Sequence, residues 1–383
     1  MDSLFLLVIA YTTNHYNPLD WLVIVGLLVS FPCPEGLKEV IINKIWHQKR
    51  TQPTQYWIIA FMSVLLMVYV VMLPLGAAET PLKKATLMLL WEPQAQFAGY
   101  YVALDKGIYA RNGIDLNILR AGPGHSPVEA LEKGTVDFAI LWLSTALQHR
   151  STGAEFVNLA QIIQRSSMML ISKKTVGIKT NADMEGKKVG LWGGEFSMPI
   201  RKFFANRHIK VREVRQSNTV NLFLRGGVDV TSAMWFDEYH TILDSGIDPE
   251  ELNVIFLRDQ GMNFLEDGIY TMEKTLHKDP ALATAFVTAS LEGWRYAFDH
   301  PDEALDIVLK YMRQAQLPAS RMHQKWMLDR MRELMTPTAS ESGFGQLKEQ
   351  DYLAVCHALQ EQGLIRTYPD YATFSWRADA GKK

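Results

Sequence analysis

Trp91, Gln96 and Tyr100 stand close together in WEPQAQFAGYYVALDKGIYARNGIDLNIL (91–119), where an apolar run gives way to a helical pattern. An indole has a broad flat face and one N–H donor, so Trp91 suits stacking on a heteroaromatic ring as well as packing under the next helix. Gln96 and Tyr100 bring hydrogen-bonding groups to the same strand end, and Phe97 suits a wall there. Trp142 follows the apolar run 138–141, and Trp235 follows 228–233. One ring from each could sandwich a flat guest, although packing explains any single tryptophan equally well. The loop Gly193-Gly194-Glu195-Phe196-Ser197 separates a strand pattern from a helical one. Glycines there let backbone approach a guest, and free N–H groups at a helix start favour an anion or an acceptor oxygen. The Glu195 carboxylate could pair with an amino group; the plain alternative is a turn with Ser197 as helix cap. Asp237 and Glu238 divide in the same way between ligand contact and capping. This is equipment for holding a small flat molecule rather than converting it.

Other chemistry is poorly supported. His125 lies in AGPGHSP, which lacks the Lys-Ser/Thr ending of a nucleotide loop. His149, His208, His240, His277, His300, His323 and His357 are scattered without metal-ligand spacing, His240 falling one turn after Asp237. No metal and no cofactor are expected. Cys33 and Cys356 are the only cysteines, which excludes a disulfide framework. The formal net charge is −2 over 383 residues, so there is no electrostatic footprint for nucleic acid.

The elements that must position these residues alternate. Strand patterns at 86–90, 115–120, 138–141, 157–163 and 167–172 are separated by helical stretches at 97–106, 126–134 and 144–151. The pattern restarts with strands at 187–192, 211–214, 228–233 and 253–256. A strand at 268–272 leads into helices at 279–299, 301–311, 318–334 and 349–362. Such alternation predicts mainly parallel sheets covered on both faces. The chain is too long for one ordinary core, so two α/β lobes with a hinged cleft are expected. Lobe 1 would comprise 79–175 and 267–383, and lobe 2 would comprise 176–266. The ligand belongs at the carboxyl ends of the strands, in the cleft.

Before these lobes, 1–78 form a hydrophobic N-terminal region. The run WIIAFMSVLLMVYVVMLPL (57–75) is uncharged and nineteen residues long, enough to cross a bilayer core of about 30 Å. Lys49 and Arg50 precede it and place that flank in the cytoplasm. Gly76 and Ala78 fit a signal-peptidase site, so the segment is either a cleaved signal or a retained anchor. Residues from about 79 onward are expected on the periplasmic side.

The stretch WEPQAQFAGYYVALDKGIYARNGIDLNIL, together with LEKGTVDFAI, MEGKKVGLWGGEF and QEQGLIRTYPDY, resembles the periplasmic solute-binding proteins of ABC importers related to the fungal thiamine-pyrimidine synthase. The resemblance runs over 84–376. It implies the type II periplasmic binding-protein fold, an ABC permease and ATPase as partners, and ligands such as thiamine pyrimidine precursors. Where the fungal enzyme uses a cofactor-binding lysine and a sacrificed histidine, TVDFAILWLST has Leu141 and Thr145, and GMNFLEDGIY lacks the cysteine cluster. Synthase chemistry is therefore not expected. A membrane-anchored ligand sensor of the same fold is the alternative.

Overall fold

The computed structural model describes residue 62 and residues 81–122, 125–336 and 343–377, the Glu195 side chain excepted. Two units are distinguished, Met1–Glu79 and Thr80–Lys383. Apart from Met62, the expected signal or anchor at 57–75 lies outside the described residues. Among the described residues, no helix is long and apolar enough to cross a membrane.

The second unit is built on two five-stranded sheets. The chain begins with β1 (Lys83–Leu89), α1 (Ala98–Asp105), β2 (Ile114–Arg120), α2 (Pro127–Glu132), β3 (Phe138–Trp142), α3 (Leu143–Ser151) and β4 (Phe156–Gln161). It crosses to β5 (Met168–Lys173), β6 (Lys188–Leu191), α4 (Met198–Asn206), β7 (Arg212–Arg215), β8 (Val230–Met234), α5 (Glu238–Asp244) and β9 (Leu252–Phe256). It then returns as β10 (Asp267–Met272) and continues through α6 (Pro280–Asp299), α7 (Pro301–Gln314), α8 (Arg321–Met335) and α9 (Glu349–Glu361). The strand orders are β2-β1-β3-β10-β4 and β7-β6-β8-β5-β9.

Local sequence explains most of these elements. In β3 and β10 every residue is buried, as a strand covered on both faces requires, whereas the edge strand β2 alternates over its first residues. The α6 helix starts where the Asp279 carboxylate accepts the Leu282 N–H at 3.0 Å, with Pro280 at its first position.

The sheets are less parallel than strand–helix alternation predicts. β10 runs antiparallel to both β3 and β4, and β5 runs antiparallel to both β8 and β9. Each of these strands enters its sheet straight from the other half, at the carboxyl end of its neighbours, and must run backwards. β5 also pairs in the second sheet, whereas a boundary at 175/176 would leave it with the first lobe.

Close helix packing sets the site's first wall. A Cβ on Gly99 of α1 would lie 2.3 Å from Trp294 Cγ, and one on Gly293 of α6 would lie 2.2 Å from the Gly99 carbonyl. Only glycine lets these backbones approach so closely. Gly99→Ala is expected to destabilise the chain by about 3 kcal/mol, because Trp294 is fully buried and has nowhere to retreat. A melting temperature within a degree of the parent would contradict this packing.

Candidate functional site

The carboxyl end of the first sheet gathers several sequence-predicted residues around a pair of acids. Asp267 opens β10 directly opposite Trp142, the last residue of β3. Its Oδ2 accepts a hydrogen bond from Gln96 Nε2 at 2.8 Å, and Gln94 Nε2 donates to Gln96 Oε1 at 2.7 Å. Gln96 sits in a 3-10 turn between β1 and α1, held where its backbone N–H meets Met327 Sδ of α8. Burial raises the Asp267 carboxyl to about 6, against the opposing pull of the Gln96 hydrogen bond and the nearby Trp142 indole. The Trp142 indole is the other donor near this carboxylate, and Asp267 Oδ1 makes no well-aligned hydrogen bond.

Tyr100 and Tyr270 lie near the same carboxylate, whose charge, after burial, helps raise both phenols. Both are buried, and neither hydroxyl makes a hydrogen bond within geometric reach. Tyr100 stands edge-on to Trp294 with ring centres 5.8 Å apart. The Trp294 indole and the Asn158 amide are the polar side chains nearest the Tyr100 and Tyr270 hydroxyls, so the two phenols and the carboxylate form one buried polar cluster. Gly268 makes room beside them. A Cβ there would come within 2.9 Å of Asn158 Nδ2, Gln161 Oε1 and the Tyr270 ring.

Glu266, one residue earlier, joins the two crossing segments. Ser166 Oγ donates to its Oε1 at 2.6 Å, and the Ser167 N–H donates to the same oxygen at 3.0 Å. Burial lifts this carboxyl to about 8. On the same seam, Arg258 Nη1 donates to the Ser166 carbonyl at 2.8 Å, and the Ser166 N–H donates to Asn263 Oδ1 at 2.8 Å.

The second sheet contributes the glycine loop. Gly194 adopts the left-handed conformation (φ +65°), and Gly193 leaves space for Arg215, whose Nη2 would stand 3.2 Å from an added Cβ. Ser197 does not cap α4 through its side chain; its Oγ donates instead to the Gly194 carbonyl at 2.8 Å. Phe196 reaches across to the first half and meets the Trp142 ring edge-on, with centres 4.6 Å apart. The Glu195 side chain lies outside the described residues.

The remaining predicted residues stand elsewhere. Trp91 is 43% exposed just beyond β1. Trp235 follows β8 and is engaged by α8: Trp326 Nε1 donates to its carbonyl at 2.9 Å, and the Arg330 and Arg258 guanidinium carbons lie 4.9 and 5.2 Å from its ring centre. Asp237 Oδ1 lies 2.9 Å from His323 Nε2 and does not cap α5. Glu238 accepts the Met234 N–H at 2.9 Å, and burial with the neighbouring Asp237 charge raises its carboxyl. The structure thus brings Gln96, Tyr100, Trp142 and Phe196 together around Asp267, and directs Trp235 and Asp237 toward α8. Sequence reasoning missed Glu266 and Asp267 as site residues. The available signal was an acid pair, LEDGIY, at the start of a strand.

Two mixed sheets, exchanged strands and a polar cluster at the strand ends define the periplasmic binding-protein fold. The aliphatic sulphonate binding protein SsuA of Escherichia coli shares it, with a TM-score of 0.62 and 16% identity, over 78% of this chain and 93% of that one. The chain belongs to the NMT1/THI5-like family, whose model matches residues 94–304. It is similar to the riboflavin-binding protein RibY of Chloroflexus aurantiacus, 24% identical over 76% of this chain and 84% of that protein. It is also similar to the formylaminopyrimidine-binding protein of Halalkalibacterium halodurans, 22% identical over 63% of this chain and 74% of that protein. A 4-amino-5-hydroxymethyl-2-methylpyrimidine phosphate synthase of Legionella pneumophila is 27% identical over 61% of this chain and 76% of that protein.

Proposed function

We propose that the chain is a solute-binding protein that captures a small amino-substituted heteroaromatic molecule and delivers it to an ABC permease and its ATPase. The observation that carries this reading is the Asp267 carboxylate, fixed by Gln96 on one oxygen and making no well-aligned hydrogen bond on the other, next to the Trp142–Phe196 ring pair. A carboxylate oxygen takes an amino donor, the glutamine amide orients it, and aromatic faces hold the ring. The names of two relatives, a riboflavin binder and a formylaminopyrimidine binder, support the same ligand class. Thiamine pyrimidine precursors fit it.

Each sheet with its helices forms one lobe in this reading, and the lobes close about the crossings at 162–167 and 257–266. The protein works on the periplasmic side, with 57–75 as signal or anchor. Binding without turnover is supported by Leu141 and Thr145, which stand where the fungal synthase's lysine and histidine would fall.

Calorimetry with hydroxymethyl- and formylamino-pyrimidines, riboflavin and an alkanesulfonate tests the ligand class. A pyrimidine or flavin should bind with a Kd at or below micromolar. Sulfonate binding alone would overturn the reading.

A further inference from the structure

We propose that His240, Asp244 and His323 form a binding site for a divalent transition-metal ion of the zinc type, on the seam between α5 and α8. His240 and Asp244 lie one turn apart on α5, while His323 stands 83 positions beyond His240 at the start of α8. The Ser320 hydroxyl caps that start by accepting the His323 N–H, which fixes the first turn. His240 Nδ1 lies 3.0 Å from His323 Nδ1 and 3.2 Å from Asp244 Oδ2. One potential ligand atom from each residue lies within 4.8 Å of the others.

These separations suit an ion. Zinc binds histidine nitrogen at about 2.0–2.1 Å and carboxylate oxygen at about 2.0–2.2 Å. The two separations from His240 Nδ1, 3.0 and 3.2 Å, correspond to angles of roughly 90–100° at a metal held at those lengths, and rotamer adjustment brings the three ligands toward tetrahedral. Two imidazoles and one carboxylate are a zinc-type donor set that leaves a fourth position for water.

Asp237 supplies the next requirement. Its Oδ1 lies 2.9 Å from His323 Nε2 and accepts a hydrogen bond from the tautomer with its N–H there, leaving the Nδ1 lone pair directed at His240. A metal-bound histidine characteristically gives its other N–H to a carboxylate in this way. His240 is held as well, its ring centre 4.9 Å from that of Trp326.

A hydrogen-bonded histidine pair is the competing account, and it leaves one contact unserved. His240 Nδ1 carries at most one hydrogen in the neutral ring, yet it faces two acceptors, His323 Nδ1 and Asp244 Oδ2. A cation between them satisfies all three atoms. The histidine side chains are largely covered, at 12% and 16% exposure, while Asp244 at 54% keeps an entry path open. Spacing along the sequence hides the site because its halves come from distant segments. An ion there would pin α5, which follows the second sheet, to α8. That helix also reaches the first half, where Gln324 Oε1 accepts the Ala95 N–H at 2.7 Å.

The test is calorimetric titration of the chelator-stripped full chain with zinc chloride, alongside the visible spectrum with cobalt(II). The expected result is one equivalent bound at micromolar Kd or tighter, with cobalt bands of a low-coordinate nitrogen and oxygen site. His240→Gln and His323→Gln should each weaken binding by at least 100-fold, and Asp237→Asn by about 10-fold or more. Should His323→Gln fail to fold, His240→Gln and the half-exposed Asp244→Asn decide the matter. Zinc uptake unchanged in those two variants, or no tight site in the parent chain, would overturn the proposal. The readouts need no organic ligand, so they stand or fall apart from the solute-binding reading.

Discussion

Asp267→Asn is expected to weaken capture of the ligand by about 10- to 100-fold and, at pH 8, to raise the melting temperature of the same protein. The two effects share one cause. A hydrogen bond to a charged group contributes about 1.5–3 kcal/mol, and asparagine offers an N–H where the carboxylate offered an acceptor for the ligand's amino group. Without ligand, the carboxylate is a buried charge that burial has lifted to about 6, held chiefly by the hydrogen bond from Gln96. A neutral amide keeps that bond through its oxygen and removes the cost of burying charge. Stability gained where binding is lost is the expected trade at a site shaped for a guest. Affinity within twofold of the parent would remove Asp267 from the site, whatever happened to the melting temperature.

Glu266 produces the second large effect, read through pH. Its carboxyl titrates at about 8 in the folded chain against an ordinary value of 4.5. Between roughly pH 5 and 8 the folded chain therefore holds a proton that the unfolded chain has released. Stability falls as pH rises through that window, by up to about 1.4 kcal/mol per unit, and levels off above the folded value. Asp267 acts in the same sense over the lower part of the window. His240, pushed below its ordinary value mainly by burial, acts in the opposite sense near neutrality. The difference between the parent and Glu266→Gln separates these contributions. The variant should melt several degrees higher at pH 8.5 and match the parent near pH 5. Parallel melting curves across that range would show that Glu266 is not a buried acid at the crossing.

Both carboxylates were present in the sequence as LEDGIY, yet only folding gave them meaning. The run reads as a domain boundary because Asp-Gly is turn chemistry and a strand follows. What makes it a site is β10 entering its sheet backwards, which sets Asp267 opposite Trp142 and beside Gln96. Trp235 shows the converse. Its place after β8 was legible, but the guanidinium groups of Arg258 and Arg330 near its ring come from a crossing segment and a distant helix. No local pattern announces such contacts.

The sequence by itself determined where the strands and helices lie, because apolar runs, proline starts and capping acids act over a few residues. The α6 helix was legible as 279–299 and forms at Pro280–Asp299; the strand read as 138–141 forms at Phe138–Trp142. Residues of the opening stretch, Gln96 and Tyr100, were legible too, since each stands where a strand pattern meets a helix. Tertiary structure alone decided that β5 joins the second sheet, that β5 and β10 run antiparallel to their neighbours, that Glu266 bonds Ser166 and Ser167, and that His240 meets His323. The side-chain contacts join segments 83 to 100 residues apart at 2.6–3.0 Å, and burial then sets the protonation of the acids. Local propensity acts along the chain; partners and solvent exclusion act across it.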